Sequence, residues 1–188
     1  KLSDTTRVWR AKILDGEAYR DGGADGREQH PVPTAGFLFV NKKMPKTIVV
    51  GVFNIDRNLD FLPDSSQSAP SGGGADNFVQ FFKKELIPYI NKNFKTESFN
   101  VLIGHSYGGV FAMHALLNDP DLFDAYIAID PSFWYKNQMQ VKSAQNEFLK
   151  AKNWNKSTYI SGSEGGGMKD MGITPMKKLP KSSAPTGL

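Results

Sequence analysis

The sequence predicts an α/β fold, a mainly parallel sheet flanked by helices. Three observations carry that prediction. Strand-like and helix-like segments alternate from about residue 46 to residue 161, the order in which parallel strands are joined by crossover helices. Thr47-Ile48-Val49-Val50-Gly51-Val52-Phe53 is continuous, rich in β-branched residues and uncharged, the pattern of a buried strand. Val101 to Gly109 reads as a buried strand, a sharp turn and a helix start in direct succession.

Each element follows from local chemistry. Thr6-Arg7-Val8-Trp9-Arg10-Ala11 predicts a first strand, followed by Lys12 to Tyr19 with Leu14-Asp15-Gly16-Glu17 inside it. Residues 20 to 36 are rich in Gly, Asp and Pro and read as loop. After the strand at 47–53 the chain turns polar at Asn54-Ile55-Asp56-Arg57-Asn58. Pro63 to Gly74 carries the Ser/Pro/Gly run of a flexible loop. Asp76 is the expected N-cap of a helix that runs to about Asn93. Phe78, Phe81, Phe82, Leu86 and Ile90 share its apolar face, and Pro88 should kink it. The helix after Ser106 is expected to be amphipathic, with Val110, Phe111, Met113, Ala115, Leu116 and Leu117 as its apolar residues. Ala125 to Ile129 predicts another strand, ending at Asp130-Pro131-Ser132. Gln138 to Lys152 predicts a helix, Ser157 to Ser161 a last strand, and Gly162 to Gly167 a loop. No internal repeat and no second domain is visible, so residues 1–188 read as one domain.

Composition narrows the function classes. The chain has 188 residues, 39% hydrophobic and 12% aromatic, enough for a substantial core. Its net charge of +4 comes from scattered lysines such as Lys42-Lys43, Lys83-Lys84 and Lys177-Lys178, which argues against a nucleic-acid surface. There is no cysteine, which excludes disulfides, thiol catalysis and cysteine metal sites. No apolar stretch approaches the ~20 residues of a membrane span. No signal peptide is visible at Lys1-Leu2-Ser3, which leaves a periplasmic, secreted or cytoplasmic location open. No cofactor and no metal are expected, and oligomeric state is not legible.

Gly104-His105-Ser106-Tyr107-Gly108 is a G-x-S-x-G pattern in a strand–turn–helix context, the nucleophile elbow of α/β-hydrolases. Ser106 is therefore the candidate nucleophile. In such an elbow the glycines let strand and helix approach closely. A serine hydroxyl also needs a base within hydrogen-bond reach and a group that orients that base. It needs N–H donors aimed at the developing oxyanion, one of them from the residue after the nucleophile, here Tyr107. The N-terminal dipole of the following helix favours the same negative charge.

The base is harder to place. His105 adjoins the serine, with its side chain expected to project away from Oγ. His114 lies eight residues after Ser106, roughly 12 Å along a helix axis. His30 sits in the early loop. The expected chain order is Ser, acid, His, yet no histidine follows His114 in these residues. The acid has three candidates: Glu164 after the last predicted strand, Asp130 at the end of the preceding one, and Asp170. Histidines and carboxylates show no metal-ligand spacing. The glycine runs at 72–74 and 165–167 lack the Gly-Lys-Ser/Thr ending of a phosphate loop.

Several segments together resemble the putative esterase family of α/β-hydrolases, which includes enterochelin-esterase-like enzymes, S-formylglutathione hydrolases and mycolyltransferases. Leu14-Asp15-Gly16-Glu17 resembles its LDG segment. Ile48 to Val52 with Asn54, Asp56 and Arg57 resembles its IVVGI-N-x-x-R segment. Glu85-Leu86-Ile87-Pro88-Tyr89-Ile90 resembles its E-L-I-P-x-I helix, and Gly104 to Gly109 its GHSxGG elbow. The resemblance is strongest to the enterochelin-esterase-like branch. It implies an α/β-hydrolase fold, Ser106 as nucleophile, the backbone N–H groups of Glu17 and Tyr107 as oxyanion hole, and Glu164 as acid. It also places Asp56 and Arg57 near the cleft. Two departures stand out. The family's full strand ending in LDG is expected to be largely missing between Arg10 and Ile13. Ser183 to Leu188 resembles the lead-in to the family's last strand, which its catalytic histidine follows, so the domain is expected to lack that strand and to be truncated there.

The resulting expectation is a serine-dependent carboxylic ester hydrolase working through an acyl-enzyme on Ser106, with a small-molecule ester as its partner. Phe133, Trp134 and Tyr135 either line a pocket for an apolar or aromatic group or pack in the core. The alternatives are a binding descendant that no longer catalyses, and an acyltransferase.

Overall fold

The computed structural model describes residues 9–14, 38, 40–45, 47–52, 54–150 and 155–162. Five parallel strands form one sheet: β1 (Trp9–Leu14), β2 (Thr47–Val52), β3 (Asn100–His105), β4 (Ala125–Ile129) and β5 (Ser157–Ser161). Their order is β2-β1-β3-β4-β5. From β1, second in this order, the chain steps outward to β2, returns past β1 to the central β3, and then proceeds outward the other way. The reversal lies between β1 and β3, and crevices for ligands open at the carboxyl ends of strands where such an order reverses.

The first strand is present as six residues that end at Leu14, not largely missing, and it lies three residues later than its expected start. Its position explains this. β1 pairs with β2 on one side and β3 on the other, with Leu14 opposite both Val52 and Gly104. Those neighbours supply the hydrogen-bond partners that carry the strand through Lys12. Conversely β2, expected to be buried, is only half-buried at Thr47 to Val50 and exposed at Gly51. It is an edge of the described sheet, and an apolar run does not by itself distinguish edge from centre.

The sheet is accompanied by the α-helices α1 (Arg57–Phe61), α2 (Ala75–Phe81), α3 (Ile87–Asn93), α4 (Tyr107–Asn118) and α5 (Met139–Lys150), with short 3-10 turns at Pro120–Leu122 and Tyr135–Gln138. Between α2 and α3 the chain continues as a π-helical turn, Phe82–Leu86. Pro88, at the start of α3, has no N–H to give to the preceding turn, and the π turn absorbs that loss. Gly74 is the N-cap of α2 rather than Asp76. Asp76 lies inside the first turn, where its carboxylate meets His114 Nε2 at 2.7 Å. The helix after the elbow is not amphipathic in burial. Gly108 to Leu116 are all buried, because α4 packs on β3 and β4 and is covered by α1, α2 and α5.

An aromatic cluster fills the space between α2, α4 and the sheet. Phe111 lies 5.1 Å from Phe78, 5.8 Å from Phe82 and 6.0 Å from Phe61, centroid to centroid. Leu102, Leu116, Phe123 and Tyr126 complete this core. The Pro63–Gly74 segment, expected as a loop, is hydrogen-bonded within itself and to the end of α1. Ser66 and Ala69 exchange backbone hydrogen bonds, and Gly73 and Gly74 N–H bond to Leu62 and Leu59 carbonyls. The Tyr135 hydroxyl donates to the Asp64 carbonyl and ties the loop to the segment after β4.

Candidate active site

Ser106 occupies the turn between β3 and α4, at φ 54° and ψ −117°. A non-glycine residue at positive φ is strained, at a cost of roughly 1–3 kcal/mol. Four backbone hydrogen bonds hold it there. Its N–H donates to the Ile129 carbonyl at 3.1 Å, and its own carbonyl accepts from Gly109, Val110 and Ser132 N–H at 3.1, 3.2 and 3.2 Å. The elbow requires glycine at Gly104, where a Cβ would stand 2.0 Å from the Gly108 carbonyl oxygen. It requires glycine again at Gly109, where a Cβ would stand 2.8 Å from Pro131 Cβ.

Tyr107 is the first residue of α4, and the first N–H groups of a helix have no intrahelical carbonyl to meet. Its side chain lies against an aromatic group of two, 6.0 Å from Trp134 and 6.1 Å from Tyr135. The Arg57 guanidinium lies 5.2 Å from the Tyr107 ring centroid. Burial pushes the Tyr107 phenol pKa up, with the Arg57 charge acting the other way. Arg57 opens α1, and Asp56 caps that helix by accepting from Asn58 and Leu59 N–H. The Ser71 hydroxyl, followed by the Leu59 N–H, holds the Asp56 carboxyl below its ordinary pKa. So Arg57 lies beside the elbow, and Asp56 caps the helix that carries it. Of the three aromatics after β4, Tyr135 is buried, Phe133 is half-buried against the core, and Trp134 is 45% exposed, facing solvent next to Tyr107.

The remaining candidates divide. His114 is buried and committed elsewhere, between Asp76 at 2.7 Å and Asn118 Nδ2 at 3.2 Å. His105 ends β3 and is exposed. Asp130 follows β4 at φ 43°, with its N–H bonded to the Ser161 carbonyl. Glu17, His30, Glu164 and Asp170 lie outside the described residues. β1 itself ends beside the elbow, where Leu14 pairs with Gly104, two residues before Ser106. One residue escaped the sequence reading as a site residue. Ser132 is buried, and its Oγ lies 3.0 Å from Ser106 Oγ. Sequence offered no periodicity or motif for it beyond the Asp130-Pro131-Ser132 turn.

Comparison with known proteins bears on this geometry. A family described as "Putative esterase" matches residues 19–178. The chain belongs to that esterase family. It is 35% identical over 133 residues to the siderophore enterobactin esterase of Emericella nidulans, covering 63% of this chain and 43% of that protein. It is 36% identical over 98 residues to the siderophore triacetylfusarinine C esterase of Aspergillus fumigatus, covering 51% of this chain and 33% of that protein. The chain therefore spans less than half the length of these curated relatives. Among solved structures it resembles an IroE-like serine hydrolase from Shewanella oneidensis, with TM-score 0.72 and 30% identity over 82% of this chain and 50% of the other. The fold is that of the α/β-hydrolases, in the enterochelin-esterase-like branch. Among the described residues no helix is long and apolar enough to cross a membrane, and no group of three His, Cys, Asp or Glu is placed to hold a metal ion.

Proposed function

We propose that this chain carries the nucleophile and oxyanion-hole region of a serine ester hydrolase that acts on siderophore esters. One observation carries the proposal: Ser106 stands in a strained strand-to-helix turn where the strand order reverses. Ser106 Oγ attacks the ester carbonyl carbon while its proton passes to a base. The backbone N–H groups of Tyr107 and Glu17 receive the charge on the carbonyl oxygen. The carbon–oxygen bond to the alcohol then breaks, and the base returns its proton to the leaving alkoxide. Water repeats the attack on the acyl-enzyme, releases the acid and restores the Ser106 hydroxyl. Neither His105, exposed at the strand end, nor His114, bonded to Asp76, suits the base role. That role falls to His30 or to a histidine of the full-length protein. Glu164 remains the favoured acid, ahead of Asp130 and Asp170. The names of two relatives support siderophore esters as substrates. So does the surface beside the elbow, where the Arg57 cation and the exposed Trp134 ring suit an aromatic or anionic acyl group.

In the full-length protein, Ser106→Ala should reduce hydrolysis of p-nitrophenyl acetate and of a siderophore triester by about 10³-fold or more. An unchanged rate would overturn the serine mechanism. Hydrolysis of the nitrophenyl ester alone would keep the esterase and remove the siderophore assignment.

A further inference from the structure

We propose that Ser132 is a positioning residue for the nucleophile, its hydroxyl donating to Ser106 Oγ. The proposal rests on Ser106 being the nucleophile. Both parts of Ser132 touch the elbow. Its N–H donates to the Ser106 carbonyl at 3.2 Å, and its Oγ lies 3.0 Å from Ser106 Oγ. Its own carbonyl accepts from Tyr135 N–H at 3.0 Å, which fixes the turn that carries it. Ser132 is 7% exposed, so its side of the contact is shielded from bulk water. The approach depends on Gly109, since a side chain there would collide with Pro131, the residue before Ser132.

The chemistry fixes the direction of the bond. As the attack begins, the Ser106 proton leaves for the base, and its oxygen can then only accept. A hydroxyl 3.0 Å away can donate to it. That donor holds one rotamer of Ser106, which makes no side-chain bond to its own helix. It also keeps the oxygen hydrogen-bonded as it loses its proton. Ser132 thus acts through Ser106, on the rate of attack rather than on substrate binding.

The test compares Ser132→Ala, Ser132→Thr and Ser132→Val with wild type and Ser106→Ala in the full-length protein. Steady-state hydrolysis of p-nitrophenyl acetate gives kcat and KM, and a fluorophosphonate probe gives the labelling rate of Ser106. Ser132→Ala should lower kcat and the labelling rate each about tenfold while KM changes less than about twofold. Threonine, which keeps the hydroxyl, should restore most of the loss, and valine, which has the same shape without it, should not. Wild-type kcat and labelling in Ser132→Ala would overturn the proposal, and so would a threonine variant no better than valine. If Ser106→Ala stays as active as wild type, the nucleophile reading falls and Ser132 with it. If Ser106→Ala is dead while Ser132→Ala is unimpaired, only the Ser132 assignment falls.

Discussion

Gly104 shows how little freedom the elbow leaves a single residue. A Cβ there would stand 2.0 and 2.2 Å from the carbonyl oxygen and carbon of Gly108. Those are backbone atoms, which cannot swing aside as a side-chain tip would. Gly104→Ala should therefore cost about 3 kcal/mol or more, beyond the usual penalty of overpacking. Urea denaturation measures it, and a variant as stable as wild type would show that the elbow can relax. Asp56 makes a different prediction. Its carboxyl is held below its ordinary pKa by the Ser71 hydroxyl and helix N–H groups. A depressed carboxylate adds stability above its unfolded pKa, and that stability is lost as pH falls through the folded value. Asp56→Asn should therefore lose its destabilising effect as the medium is acidified below the ordinary carboxylate range. Melting curves at neutral and acid pH check this, and an equal difference at both would refute it. At this scale the sequence was legible where backbone chemistry demands a residue type. The G-x-S-x-G spacing marked Ser106 and Tyr107 at once. Ser132 was not legible, because its partner is 26 positions away in the chain and only the fold brings them together.

The elements show the same division. Strands β3, β4 and β5 and helix α5 fall close to where local pattern puts them, because each has an apolar run or face bounded by polar residues. β1 was placed too early, since what defines its end is pairing with β2 and β3 rather than its own residues. Asp76 carries a good capping side chain but serves His114 instead, a partner 38 positions away. Helix α4 is covered on all sides, although its sequence suggested one apolar face. Its packing gives a further prediction. Phe111 is fully buried and meets three other phenylalanine rings, Phe61, Phe78 and Phe82. Phe111→Ala should destabilise by about 3–5 kcal/mol. Chemical denaturation would check it, and a loss under about 1 kcal/mol would mean that the cluster collapses into the space.

Across the molecule, the sheet order decides where the site lies. β3 is central, with β1 and β4 on either side, whereas β2 and β5 bound the described sheet. Amide exchange should follow that order. Protection should be greatest in β3 and α4 and least in β2 and β5. Equal protection across all five strands would mean that the two outer strands are covered by other parts of the protein. The sequence alone determined the fold class and the nucleophile candidate, because alternating apolar runs and a glycine-flanked serine are local patterns with few physical solutions. Tertiary structure decided what local pattern cannot encode. It set β1 beside the elbow, directed Asp76 to His114, seated Arg57 over Tyr107, and brought Ser132 to Ser106. Each of these depends on residues far apart in the chain that meet only when the sheet is assembled.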